Sequence, residues 1–180
     1  MTATRQQIRS IVADVLARPA AQGRPINVAR VARAYGIAVV YRAFEGDEDI
    51  SGFYLREKGE RVIGVNNAQA PVRQRFTIAH ELGHALLDER DRVHVDGAFN
   101  LRLRDVKSSL AIDPDEMAAN HFAAELLMPG TDVRSLVGDG IDITDDAELR
   151  GLARHFGVSQ QAMAYRLMNL GLGIDGKAKF

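Results

Sequence analysis

The chain has no cysteine among its 180 residues, which excludes thiolate-ligated zinc, iron–sulfur clusters, thiol nucleophiles and disulfides together. Without covalent staples the fold must rest on its core, and a chain of this length can bury one large enough. Tryptophan is also absent and aromatic residues make up only 6% of the chain, so that core has to be mainly aliphatic. No apolar run approaches the roughly 20 residues that a membrane-spanning helix needs. The opening MTATRQQIRSIVADV mixes polar with apolar residues and lacks the apolar centre of a signal peptide. These absences point to a cytoplasmic protein, with one main domain and at most a small appendage.

An excess of one charge is missing too, since 23 Lys and Arg against 24 Asp and Glu leave a net charge of -1. The balance is uneven along the chain. Residues 1–37 hold six Arg against one Asp, whereas residues 71–144 hold eight Arg or Lys against thirteen Asp or Glu. A basic N-terminal stretch could meet an acidic partner or a phosphate backbone, although a solvated helix face is the simpler expectation.

The first segment places Ile8, Ile11, Val12, Val15 and Leu16 at helical spacing and stops in the Pro19–Pro25 region. A short helix follows over 27–35, with Asn27 as its cap and Gly36 as its stop. The period then changes. IAVVYRAF, SGFYLRE and RVIGVN are short and rich in β-branched and aromatic residues, so they read as strands of a small antiparallel sheet with a hairpin at Lys58-Gly59. Pro71 opens a helix whose buried side is Phe76, Ala79, Leu82, Gly83 and Leu86. Residues 90–112 read as a long irregular connection. Another helix begins with Asp113 as cap and Pro114 at its first position, and Pro129 ends it. The C-terminal part reads as two short helices meeting at Phe156-Gly157-Val158, the second capped by Ser159. The expected organisation is a main domain over 1–135 and a helix-turn-helix-like subdomain over 136–180.

What is present in unusual concentration is ionisable chemistry within one apolar run, RFTIAHELGHALLDE. Residues four apart on a helix lie about 6 Å apart along the axis and about 40° apart around it, so His80 and His84 face one point. Two imidazoles so placed can share a metal ion. Glu81 stands beside the pair, where its carboxylate can take a proton from a metal-activated water without being a ligand. The pattern H-E-x-x-H is the signature of zinc peptidases. Gly83 gives up as much as about 1 kcal/mol of helix propensity relative to Ala, which suits a site where another backbone, such as an edge strand, comes close.

A catalytic zinc needs a third protein ligand. The extended motif of the metzincins would require Gly at 87 and His at 90, but Leu87 and Arg90 stand there. Asp88 continues the histidine stripe but lies about 12 Å along the axis from His80, too far to share its ion. His94 is a candidate in a stretch that does not fix its direction. Glu116, in the first turn of the next helix, is the better candidate, although with Asp113 it also satisfies a capping box. Asn120 shares the face of Glu116 and could hold the second ring nitrogen of a ligand histidine. Glu125 reads as a surface residue, and His121 and His155 as polar histidines without ligand spacing. Tyr54, His94, Arg75 and Tyr165 are the candidates for stabilising an oxyanion.

With RQRFTIAHELGHALLD, EMAANHFAAELLMP and LARHFGVSQQAMAYRLMNLGL, the chain resembles the ImmA/IrrE family of bacterial metallopeptidases over residues 25–173. The resemblance implies a gluzincin-like site with zinc on His80, His84 and Glu116 and with Glu81 as the catalytic carboxylate. It also implies a protein substrate, a helix-turn-helix repressor of the XRE type, whose cleavage derepresses stress, prophage or mobile-element genes. Some relatives are paired with repressors in toxin–antitoxin-like operons and act by binding. Two positions depart from the family pattern: Asp88 stands where many relatives have a histidine, and Ala118 where the residue is often acidic or Gln.

A rival function lies at the C-terminus, where Ser159 opens a would-be recognition helix and Gln160, Gln161, Tyr165 and Arg166 could face bases. Residues 145–180 hold only five Lys or Arg against four Asp or Glu, too little for strong phosphate attraction, so direct DNA binding is not expected. The expected architecture is α+β: a small antiparallel sheet laid over the motif helix, with N-terminal helices and a C-terminal helical subdomain.

Overall fold

The computed structural model describes residues 3–44, 50–87, 93–97 and 113–174, with the backbone alone for 93–97 and 174. Helix α1 (Arg5–Leu16) is set by a capping box in which Thr4 accepts from the Gln7 amide and Gln7 accepts from the Thr4 amide. It buries Ile8, Val12 and Val15. Helix α2 (Val28–Ala34) begins where the Asn27 side chain accepts from the Arg30 amide, and the chain turns out of it at Gly36. Strands β1 (Ala38–Arg42), β2 (Ile50–Glu57) and β3 (Glu60–Asn66) follow. Lys58 and Gly59 both have positive φ, the conformation that a two-residue hairpin joining twisted strands requires.

The fold is α+β, and its sheet is mixed rather than wholly antiparallel. The strand order is β1-β3-β2-β4, with β4 (Val93–Gly97) at one edge. The β2–β3 and β2–β4 pairs are antiparallel, but β1 runs parallel to β3. Alternation of apolar residues marks strands without fixing their order, and here the hairpin return strand β3 inserts between β1 and β2. Strand β4 also corrects the expectation of an irregular stretch over 90–112. Its Val-His-Val-Asp alternation is short and set among charges, and it becomes a strand by pairing with β2. The remainder of that stretch lies outside the described residues.

Helix α3 (Pro71–Leu87) lies under the sheet, with Ile78 and Leu82 in one core cluster with Tyr54, Ile63 and Val65. A Cβ at Gly52 of β2 would overlap the Thr77 methyl and the Gly64 carbonyl, so helix and strand meet closely. Helix α4 (Pro114–Leu127) packs on the other side of α3. It is buried at Ala118, Ala119, Phe122, Ala123, Glu125, Leu126 and Leu127. The backbone that Gly83 admits is that of α4, not an edge strand: a Cβ there would stand 3.2 Å from the Ala119 Cα.

Helices α5 (Gly130–Val137), α6 (Asp146–Phe156) and α7 (Gln160–Leu170) complete the described chain, with a two-residue parallel pair of β5 (Ile141–Asp142) and β6 (Gly173–Ile174). Gly157 takes the left-handed conformation that ends α6, and Ser159 caps α7 by accepting from the Ala162 amide. Leu149, Phe156, Met163 and Leu167 belong to the same core cluster as Phe122 and Leu82. Among the described residues, no helix is long and apolar enough to cross a membrane.

Much of the positive charge in the N-terminal half is used within the chain. Arg24 Nε donates to Asp132 at 2.7 Å, Arg30 donates to the Ala20 and Gln22 carbonyls at 2.9 Å each, and Arg18 lies 4.6 Å from the Tyr35 ring centroid. Arg75 donates to the carbonyls of Ile26, Phe156 and Gly157, tying α3 to the α6–α7 junction.

Glu125, expected at the surface, is buried instead. Arg166 of α7 donates to it at 2.6 and 3.1 Å and to the Met128 carbonyl at 2.9 Å, while Arg9 of α1 approaches it at 3.6 Å. Glu125 stands on α4 among the buried Phe122, Leu126 and Leu127, so its carboxylate is drawn inside, and the ion pair offsets the desolvation that this entails. Replacing Arg166 by Met should lower the unfolding free energy by about 3–5 kcal/mol in urea titrations, with Glu125→Leu on the same chain restoring most of the loss.

The pair also makes stability pH-dependent. Burial alone would raise the Glu125 carboxyl, but hydrogen bonding and charge from Arg166, aided by His121 and Arg9, hold it below its ordinary value. Burial lowers His121, with Glu125 opposing and Arg166, Arg5 and Arg9 adding to the shift. In both cases the unfolded chain takes up protons that the folded chain refuses. Stability should therefore fall below about pH 6.5, where unfolded His121 begins to titrate, and again below about pH 4.3 as Glu125 protonates. The metal-free protein should lose more Tm between pH 7 and 5.5 than its His121→Gln variant; equal losses would exclude His121 as a cause.

Candidate metal centre

Three ionisable side chains occupy the buried part of α3: His80 is 3% exposed, Glu81 0% and His84 2%. Such burial is costly unless the groups have partners, and the two histidines meet theirs at one point. Their Nε2 atoms face each other at 3.1 Å. From α4, Glu116 brings Oε1 to 3.2 Å from His84 Nε2 and Oε2 to 3.4 Å from His80 Nε2. Asp113 caps α4 by accepting from the Asp115 amide, which starts the helix so that Glu116 lies in its first turn.

Asn120 stands one turn further along α4, with Oδ1 3.1 Å from His80 Nδ1. An amide oxygen can only accept, so Nδ1 carries the proton and the lone pair of Nε2 is turned to the meeting point. Phe76, one turn before His80, stacks on its ring at 6.2 Å between centroids and 27° between planes. The imidazole is thus held at its second nitrogen and on its face.

The donors fit a metal ion. Ligand atoms about 2.0–2.1 Å from a tetrahedral centre stand roughly 3.3–3.4 Å from one another, and the donor separations here are 3.1, 3.2 and 3.4 Å. His80, His84 and Glu116 are also the one His/Asp/Glu group among the described residues whose ligand atoms all lie within 4.8 Å. Two neutral imidazoles and one carboxylate suit a divalent cation.

Glu81 follows His80 by about 100° around the axis and shares its face with Thr77, whose methyl abuts Gly52 of β2. Of the other candidates, Tyr54 is buried and its hydroxyl accepts from Arg61 Nε at 3.2 Å, while Arg61 also holds the Tyr35 and Ala85 carbonyls. Arg75 is committed to the backbone carbonyls already described, and Tyr165 is 57% exposed on α7. Asp88 and the side chain of His94 lie outside the described residues. His121 faces Glu125 at 4.0 Å, and the His155 ring stands edge-on to Phe156 at 4.9 Å. The suggested base-facing set on α7 loses its cation, because Arg166 is 4% exposed and turned into the core. Helical spacing carried the sign of this: Met163, Arg166 and Leu167 share one face of α7, and all three are buried.

The family model for Peptidase M78, described as an IrrE N-terminal-like domain, matches residues 32–168. An "uncharacterized immunity region protein 2" of Bacillus phage phi105 is 30% identical over 104 residues, which are 58% of this chain and 61% of the phage protein. Among solved structures, a Mycobacterium tuberculosis transcriptional regulator has a similar fold, with a TM-score of 0.53 and 20% identity over 91% of this chain and 46% of the regulator. The chain therefore spans less than two thirds of either relative.

If Asn120 orients His80 toward a metal, Asn120→Ala should weaken metal affinity by about 10–100-fold in chelator competition while leaving the fold intact. Unchanged affinity would remove Asn120 from the site.

Proposed function

Because the chain belongs to the Peptidase M78 (IrrE N-terminal-like) family of metallopeptidases, we propose that it is a zinc-dependent endopeptidase that cleaves a helix-turn-helix repressor of the XRE type. The observation that carries this reading is the meeting of His80, His84 and Glu116 at tetrahedral ligand spacing, with the buried Glu81 next to His80 on the same helix. When bound, zinc would lower the pKa of a water and polarise the substrate carbonyl. His80, His84 and Glu116 would hold it, and Asn120 would keep His80 in the tautomer that can.

Glu81 is the general base in this proposal. Its carboxylate accepts a proton from the attacking water and passes it to the departing amide nitrogen, so that the peptide bond breaks without releasing an unprotonated amine. A protein substrate is favoured by the sheet: among the described residues, β4 pairs with β2 alone, which leaves an edge where an extended segment could add. The phage relative is an immunity region protein, and that supports the choice of a repressor as partner. Release of stress, prophage or mobile-element genes would follow from loss of the repressor. A direct DNA-binding role is disfavoured, since the one Arg of α7 is buried in an ion pair.

The test is incubation of the zinc-loaded protein with the repressor encoded beside its gene. Wild type should cut the repressor, and Glu81→Gln should keep its zinc while slowing cleavage by about 10²-fold or more. Equal cleavage by the Gln variant would overturn the peptidase reading. A stable complex with an intact repressor would indicate instead a regulator or toxin-like partner that acts by binding.

A further inference from the structure

Phe76 occupies a place that the metal chemistry does not use. It lies four residues before His80 on the stripe that continues to His84, about 6 Å along the axis and about 40° around it. Glu81 lies about 100° to the other side of His80. Around α3, the ligand histidines therefore stand between the carboxylate on one side and the phenyl ring on the other. Part of the Phe76 ring packs against the core and against the His80 imidazole, and the residue is only half-buried. Val72, one turn further along the stripe, is 37% exposed. An apolar track thus leads along α3 from the surface to the metal ligands.

Resting on the peptidase reading, we infer that Phe76 is the wall of a specificity subsite that takes an apolar side chain of the substrate beside the bond to be cut. A carbonyl placed over the ligand pair has Glu81 on one flank, where the water is activated. The next substrate side chain on the opposite flank meets a phenyl face rather than a charge or a hydrogen-bonding group. An aliphatic or aromatic side chain loses water there without leaving a polar group unpaired, whereas Ser or Asp would gain nothing for the solvation it gives up. The same contact couples selectivity to the metal site, since the ring that meets the substrate also rests on His80.

The probes are nine-residue Ala/Ser/Gly peptides with an N-terminal fluorescein and one central Leu, Phe, Ser or Asp. Binding is read by fluorescence anisotropy on the zinc-loaded Glu81→Gln protein, and cleavage by mass spectrometry on wild type. The Leu and Phe peptides should bind about tenfold or more tightly than the Ser and Asp peptides, and cuts should fall next to the apolar residue. Adding Phe76→Ala should reduce that preference to about twofold with zinc still bound. Phe76→Leu, which keeps an apolar wall and guards against loss of fold, should retain it. No preference in the starting protein, no binding of any peptide, or a preference that survives Phe76→Ala would overturn the subsite. Selective binding without any cleavage by wild type would uphold the subsite and overturn the peptidase reading, so the two failures are distinct.

Discussion

The candidate site depends on one close approach, that of helix α3 to helix α4 at Gly83 and Ala119. Two ligands come from one helix and can be placed by its period alone, but Glu116 comes from another and must be carried to them. A helix pair separated by ordinary side chains has its axes about 8–10 Å apart, and a short carboxylate cannot make up much extra distance. Gly83 removes the obstruction on one side, and Ala119 offers only a methyl on the other. Contact of a hypothetical Cβ at 3.2 Å with the Ala119 Cα and at 3.3 Å with its carbonyl shows how little room is left. The loss of helix propensity at Gly83 is thus a local cost that fixes a tertiary distance, and that distance decides whether three donors converge.

Much of the remaining structure holds α4 in place. Its C-terminal end is gripped by Arg166, which satisfies both the buried Glu125 and the Met128 carbonyl, and Arg9 adds a weaker contact from α1. Helix α3 is held in turn by Arg75, whose guanidinium bridges the carbonyls of Phe156 and Gly157 at the end of α6 and that of Ile26 before α2. The C-terminal helices that look like a DNA-binding motif in the sequence therefore support the two metal-site helices from behind. Arginine suits this work because its planar fork can meet several oxygens in fixed directions.

The parts legible in the sequence were those governed by local periodicity and by caps. Helix α3 and its two histidines follow from spacing alone, and the caps at Asn27, Asp113 and Ser159 follow from side chains that can replace a missing backbone partner. The Lys58-Gly59 hairpin was legible for the same reason. Relations between elements were not. The parallel pairing of β1 with β3, the pairing of β4 with β2 and the identity of the backbone approaching Gly83 all depend on which segments meet. Glu125 lies nine residues from Glu116 on another face of the helix, and a face away from the metal site reads as surface; its setting in AAELLMP, among apolar neighbours, is the available sign of burial. Asn120 and Glu116 were within reach because their spacing of four places both on one face, a local property.

Burial of His80, Glu81 and His84 sets a further constraint on folding. Three polar side chains within a helical turn and a half are costly to bury without partners, and two of them bring imidazole nitrogens to 3.1 Å from each other. A divalent cation at that point removes the difficulty, since it requires neutral imidazoles and opposes the negative charge of Glu116. Occupation of the centre and stability of the α3–α4 pair are therefore linked: any ion that binds the folded arrangement and not the open chain stabilises it in proportion to the logarithm of its concentration. The features that make the site good for chemistry, namely dryness, convergence and a fixed tautomer, are those that make the metal-free core less favourable. The tight Gly83 contact beside the site and the arginine clamps at the far end of α4 and at the α6–α7 turn hold the helices together against that cost.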